Sequence, residues 1–235
     1  MEDIRRLLSN WDIDITDDQI NRFESYFDLL IEWNSKMNLT AITQKEDVII
    51  KHFVDSLALC KFHDLSGKKL LDVGTGAGFP GVPLKIMCPD CEIVLLDSLN
   101  KRLVFLDTVI SELALSGITT VHGRAEDTAH NKKYRERFDI VTSRAVANLS
   151  TLSEYCLPFV NINGFFISYK GGNVISEIKD SEPAIKKLGG FLEITEEFSL
   201  PESDNERSLI FIKKVDHTPN RFPRKAGTPS KDPII

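Results

Sequence analysis

No stretch of this sequence approaches the ~20 consecutive apolar residues that would span a bilayer, although hydrophobic residues make up 42% of its 235. No membrane-spanning helix is expected. The apolar content instead suits the core of one large domain, or of one domain with a small extension. The start, Met1-Glu-Asp-Ile-Arg-Arg6, leads into no apolar segment. No secretory signal is therefore expected, and the chain is placed in the cytoplasm. Cysteine is scarce, with four residues at 60, 88, 91 and 156. Cys88-Pro-Asp-Cys91 has the spacing of a metal or redox pair. No second pair stands at ligand distance and no histidine is close, so ordinary reduced thiols and no metal site are the reading. Positive charge is also lacking overall. A net charge of −6 argues against a uniformly basic nucleic-acid binder. The deficit is uneven, however: residues 213–235 hold six basic and two acidic side chains, +4 locally against −10 for the rest. An acidic body with a basic tail can still bind a polyanion locally.

The stretch around which the chain is organised is Lys68-Lys-Leu-Leu-Asp-Val-Gly-Thr-Gly-Ala-Gly-Phe-Pro-Gly-Val-Pro-Leu-Lys85. A short apolar strand leads into a turn through Gly74, Gly76 and Gly78, and a helix can begin at Pro80. Glycines let backbone N–H groups approach a ligand closely. Counted from Gly74, the first glycine after the strand, the dinucleotide fingerprint G-x-G-x-x-G is not met, because its third glycine position is occupied by Phe79. Asp72, just before the turn, would repel a pyrophosphate and suits a ligand with a positive charge or an ammonium donor. The pattern Asp-x-Gly-x-Gly-x-Gly resembles the first motif of class I S-adenosylmethionine-dependent methyltransferases.

The first sixty residues read as helical. Ile4, Leu7, Leu8 and Trp11 fall at helical spacing. Thr16 can cap a second helix carrying Asp17 and Asp18 in its first turn. A third is predicted from about Glu46 to Cys60. From Lys69 the pattern alternates, with strands predicted at 69–73, 92–97, 119–122, 138–143 and 164–169. Helices are predicted at 80–88, 100–116, 148–158 and 173–188. Such βαβ repetition implies a parallel sheet with helices on both faces. Residues 191–199 and 208–215 leave no room for a helix between them and are expected to form an antiparallel hairpin. The resulting division is a helical N-terminal segment over 1–66, a Rossmann-like α/β domain over 67–216, and a basic, proline-rich tail over 217–235.

Open α/β sheets bind ligands at the carboxyl ends of their strands, so the residues after each strand are the candidates. Asp97 follows the second, and as an acceptor-only group it can take both hydroxyls of a ribose. Ala125 and Glu126 follow the third, where an acid or a backbone N–H can meet an adenine edge. Arg144 follows the fourth. The Asn-Pro-Pro-aromatic motif of nucleic-acid amino methyltransferases is absent there, and no cysteine nucleophile stands on that loop. The remaining target is an atom that already carries a lone pair, such as guanine N7, for which no general base is needed and placement suffices. Lys170 follows the fifth strand and faces the mouth of the site. Lys132, Lys133 and Arg135 lie before the fourth. Arg221, Arg224, Lys225 and Lys231 lie in the tail, whose prolines favour an extended segment suited to RNA phosphates.

Several separated stretches resemble the glucose-inhibited division protein B family of bacterial small-subunit rRNA guanine-N7 methyltransferases. They are Trp33-Asn34, Asn38-Leu-Thr-Ala-Ile42, His52-Phe-Val-Asp-Ser-Leu57, Leu71 to Leu84, Ser143-Arg-Ala-Val-Ala147, Lys170-Gly171 and the tail from Arg224-Lys225 to Pro233. The resemblance implies a mostly parallel seven-stranded sheet with a C-terminal antiparallel hairpin. Together with the glycine turn, it implies S-adenosylmethionine at Asp72, Gly74, Gly76, Gly78, Phe79, Asp97, Ser98, Leu99, Ala125, Glu126 and Arg144. It implies a guanine of 16S rRNA as target, in the decoding-centre loop, whether as naked rRNA, an assembly intermediate or the 30S subunit. Arg144 and Lys170 are the positioning candidates, no catalytic residue in the strict sense is assigned, and a monomer is expected. Asn38, His52 and Asp55 match family positions with their role open between a structural clamp and RNA contact. Two other readings are a small-molecule methyltransferase and a nicotinamide-dependent reductase. The basic tail argues against the first. Asp72 and the glycine missing at position 79 argue against the second. A cofactor-binding regulator without activity is the third.

Overall fold

The computed structural model describes residues 1–144 and 146–235; Ala145, inside the Ser143–Ala147 stretch, lies outside the described residues. Among the described residues, seven strands form one sheet in the order β3-β2-β1-β4-β5-β7-β6. They are β1 (Lys69–Val73), β2 (Glu92–Asp97), β3 (Ile118–His122), β4 (Phe138–Arg144), β5 (Val160–Gly171), β6 (Gly190–Ser199) and β7 (Glu206–Lys214). The first five pair in parallel. β7 is antiparallel to both β5 and β6, so the hairpin enters the sheet by its second strand. This is the fold of a class I methyltransferase.

Alternation along the strands divides the core between two layers. Leu70, Ile93, Leu95 and Ile140 face one layer, which also contains Phe23, Tyr26, Phe53 and Leu57 of the N-terminal helices. Leu71, Leu96 and Val141 face the other, with Leu149, Leu152, Ala184, Phe222 and Ile234. The N-terminal helices α1 (Asp3–Ser9), α2 (Asp17–Met37), α3 (Lys45–Val48) and α4 (Asp55–Phe62) thus share a core with α5 (Gly81–Met87) and α6 (Asn100–Glu112). The second layer contains α8 (Leu149–Cys156) and α9 (Ile175–Lys187), with the short α7 (Ala125–Thr128) at its edge. Thr16 caps α2 in a reciprocal box with Gln19. The Gln19 amide also donates to Ile86 O at 3.0 Å, tying α2 to α5.

Several features differ from the sequence reading. The predicted third helix is continuous in direction but contains a π-helical segment, Ile49–Val54, between α3 and α4. α6 stops at Glu112 rather than 116, where Ala114 adopts a left-handed conformation at φ 48°. β5 starts at Val160 because it bulges against β4: Phe138 pairs with Val160 and Ile140 with Phe165. The tail is also folded. Its Phe222 and Ile234 are buried, and residues 228–231 form a short helix, α10 (Thr228–Lys231).

Candidate cofactor and RNA site

Beyond β1 the chain turns through three glycines at positive φ, 71° at Gly74, 62° at Gly76 and 98° at Gly78. Two of them serve different ends. A Cβ on Gly78 would stand 2.7 Å from the Tyr26 hydroxyl and 2.8 Å from the side chains of Leu106 and Val82. This glycine is required by packing behind the loop, where the Tyr26 hydroxyl also donates to Ala77 O. Among the described residues, a Cβ on Gly76 would meet nothing nearer than Gly74 O at 3.9 Å. Its open side faces a cleft of about 610 Å³ at the carboxyl ends of β1 to β4.

The Asp97 carboxylate, 2% exposed, closes the floor of that cleft. It accepts from Gly76 N–H at 2.9 Å and from Leu99 N–H at 2.9 Å, and lies 3.3 Å from Arg102 Nη1. A single acid thereby joins the glycine turn to the start of α6. Gly74, Gly76, Phe79, Asp97, Ser98, Ala125, Glu126 and Arg144 line the cleft as the sequence suggests. Asp72 and Gly78 stand behind its wall, and Leu99 is exposed outside the lining. Asp72 is fully buried and its two oxygens are taken by Gly81 N–H at 3.0 Å and the Thr142 hydroxyl at 3.2 Å. Burial raises its pKa to about 6, against those hydrogen bonds and the positive charge of Arg144. Asp72 therefore holds the N-terminus of α5 under the turn instead of presenting a carboxylate to a ligand.

The mouth of the cleft is built by residues whose role the sequence left open. The His52 ring stacks on Phe79 at 4.5 Å and 20°, and its Nε2 lies 2.8 Å from the Thr40 hydroxyl. The Arg144 guanidinium lies over the same Phe79 at 5.0 Å and 3.4 Å from His52 Nδ1. Burial, then the Arg144 charge, pulls the His52 pKa down to about 4, so the ring is neutral at ordinary pH. Asp55 is the hub behind this group. It is 5% exposed and accepts from Arg144 Nη1 at 2.9 Å and Arg207 Nε at 3.0 Å. The π-helical turn carries His52 and leads directly into Asp55.

His52 and Arg144 also line a second cleft, of about 330 Å³, with Lys51, Asp55, Lys170 and Arg207. Lys170 Nζ bonds Glu177 Oε1 at 2.7 Å and Ala147 O at 2.8 Å, which fixes the lysine beside the loop after β4. Arg207 was invisible to the strand-end rule because it sits at the start of β7. The antiparallel insertion of that strand brings it to the same edge, paired with Gly171.

The basic candidates separate into two groups. Lys132, Lys133, Arg221, Lys225 and Lys231 are exposed. Arg135 and Arg224 have structural partners. Arg135 donates to Thr218 O at 2.8 Å and Phe222 O at 2.9 Å. Arg224 grips Glu154, 1% exposed, through Nη2 at 2.8 Å and Nε at 3.0 Å. The tail is thus a strap across α8 rather than the free extended segment its prolines suggested. Thr151 donates to Pro229 O at 3.0 Å, and Gly227 N–H donates to Glu126 Oε1 at 2.9 Å at the cleft rim.

Residues 19–210 match the family model for rRNA small subunit methyltransferase G. A ribosomal RNA small subunit methyltransferase G from Lachnoclostridium phytofermentans is 55% identical over 224 residues, covering 95% of this chain and 93% of its own. One of the same name from Alkaliphilus oremlandii is 55% identical over 225 residues, covering 94% and 93%. Among solved structures, a precorrin-6y C5,15-methyltransferase from Geobacter metallireducens superimposes with a TM-score of 0.51 at 15% identity, covering 74% of this chain and 90% of its own. TYW2 from Pyrococcus horikoshii gives 0.53 at 8% identity, covering 68% and 61%. At such identities these structures speak for the fold alone.

Proposed function

The chain belongs to the rRNA small subunit methyltransferase G family, and from that premise we propose that it methylates N7 of a guanine in the decoding-centre loop of 16S rRNA. The observation that carries the reading is the junction of two clefts at His52 and Arg144, one floored by glycines and Asp97, the other lined by Lys51, Lys170 and Arg207. Their chemistry fits a nucleoside-bearing sulfonium on one side and a nucleotide on the other.

When bound, S-adenosylmethionine would supply an electrophilic methyl sulfonium suited to in-line displacement by the lone pair of guanine N7. Asp97 would hold the ribose hydroxyls, and the cleft wall at Ala125 and Glu126 would hold the adenine edge. Gly76 keeps the floor low enough for the ligand to lie on the backbone. Phe79, His52 and Arg144 form the partition between donor and target. No side chain need remove a proton, since N7 carries none, so a neutral His52 is no obstacle. The contribution of the chain is placement and exclusion of water. Arg144 and Lys170 position the target nucleotide, and Lys132, Lys133, Arg221, Lys225 and Lys231 hold flanking phosphates. The setting is the cytoplasm and the working unit a single chain. Transfer of labelled methyl groups to naked 16S rRNA, to an assembly intermediate and to the 30S subunit, each from a strain lacking the modification, tests the reading. Incorporation into at least one is expected; none into any of the three contradicts it.

A further inference from the structure

The Cys88-Pro-Asp-Cys91 spacing suggested a pair that the fold does not make. Cys91 is fully buried and its thiol points to Glu92 O at 3.9 Å. The contact Cys88 makes is with Cys60: the two sulfurs are 3.8 Å apart, across 28 residues of sequence. Cys60 lies in the last turn of α4 and Cys88 caps the C-terminus of α5. Both are partly exposed, on a surface cleft of about 400 Å³ whose wall includes Lys61, Phe62 and His63. Cys91 and Cys156 are buried. A bond between the first two sulfurs needs a separation near 2.05 Å, so they must approach by about 1.8 Å, a side-chain adjustment between two helices already packed together.

We propose that Cys60 and Cys88 are an oxidation site, at which a hydroperoxide forms a reversible disulfide that clasps α4 to α5. Cys88 is the attacking sulfur. The hydrogen bond from the Cys60 thiol, aided by the nearby charge of Lys85, lowers its pKa, while the same hydrogen bond and burial raise that of Cys60. Lys85 is itself fixed, donating to Pro89 O and Cys91 O at 2.6 Å each. The Cys88 thiolate attacks the hydroperoxide, an S–O bond forms, the O–O bond breaks, and the alcohol or water leaves with a proton. Cys60 then attacks the sulfenic sulfur, the S–S bond forms, the S–O bond breaks, and water leaves with the Cys60 proton. Two thiols are oxidised by one peroxide, and a dithiol reductant reverses the change. Cys91, its pKa pushed to about 12 mainly by burial, stays a thiol.

The test uses the full chain with hydrogen peroxide as probe, followed by alkylation and mass spectrometry of non-reduced peptides. Wild type should lose two of its four thiols, yield the peptide pair linked through Cys60 and Cys88, and recover both with dithiothreitol. Cys91→Ser should give the same link. Cys60→Ser should leave Cys88 as a sulfenic acid that dimedone traps. A Cys88–Cys91 link, a cross-link abolished by Cys91→Ser, or four thiols still alkylatable after peroxide would each overturn the proposal. Because the measurement reads thiols and not methyl transfer, it stands or falls independently of the RNA reading.

Discussion

Asp97 carries more of the account than any other side chain. Its carboxylate sits at the end of β2, where the sequence placed it, and it holds Gly76 and Leu99 by their N–H groups. Asp97→Ala removes a charged acceptor from a ligand's hydroxyls and loosens the glycine turn. Cofactor affinity should fall by about 1.5–3 kcal/mol, the usual worth of hydrogen bonds to a charged group. Calorimetry on the folded variant checks this, and unchanged affinity would move the ribose elsewhere. Asp72 is the instructive contrast. Both acids were read from their strand-end positions, but one-dimensional spacing cannot tell an acid on the cleft wall from one beneath it. Depth depends on which neighbours donate to the carboxylate, and one of the two, Thr142, is remote in sequence. His52 gives a pH prediction. Its folded pKa, near 4, lies below the ordinary 6.5. Between those values the unfolded chain binds a proton that the folded one does not, so this residue's contribution to stability is lost as pH falls through that window. Asp72, raised from 3.8 to about 6, works the other way, costing stability as pH rises through its own window. A nuclear magnetic resonance titration should give His52 a midpoint near 4; a midpoint near 6.5 would mean an open, hydrated ring.

At the scale of elements, strand–turn–helix units were legible because each is coded locally. The β1 run, the glycines and the first turn of α5 are contiguous, and apolar alternation fixes which face is buried. What was not legible depends on partners far along the chain. The π-helical turn at Ile49–Val54 places His52 against Phe79 and Asp55 under two arginines, and helical periodicity passes over the extra residue. The strap of residues 217–235 is held by Glu154, Glu126 and Thr151, none of which announces a partner some 70 to 100 positions away. Prolines and cations there read as an extended polyanion-binding tail, whereas Arg224 is committed to a buried carboxylate. The glycine turn itself supplies a test. Gly76→Val places a β-branched side chain on the cleft floor, where the fold leaves open space, at a φ that valine disfavours. Cofactor binding should be lost while circular dichroism shows the fold retained. Normal binding by that variant would mean the ligand does not lie on Gly76.

For the whole molecule, an acidic body must approach a polyanion, and the exposed cations decide how. Arg221, Lys225 and Lys231 remain exposed once the strap is folded, and Lys132 and Lys133 follow α7 on the chain. Replacing Arg221, Lys225 and Lys231 by serine should leave cofactor affinity unchanged and raise the KM for the ribosomal substrate. It should also reduce the salt slope of RNA binding by roughly 0.7–0.9 for each phosphate that is no longer neutralised. An unaltered KM and salt slope would shift RNA capture to Lys132, Lys133 and the second cleft. The central claim concerns the atom methylated. N7-methylguanine carries a positive ring that borohydride reduces, after which aniline cleaves the RNA strand at that nucleotide. After reaction of the enzyme with S-adenosylmethionine and unmodified small-subunit rRNA or particles, the treated 16S rRNA should break at one guanine in the decoding-centre loop. Breakage that is absent while methyl groups are incorporated, or that falls at a guanine outside that loop, would contradict the account.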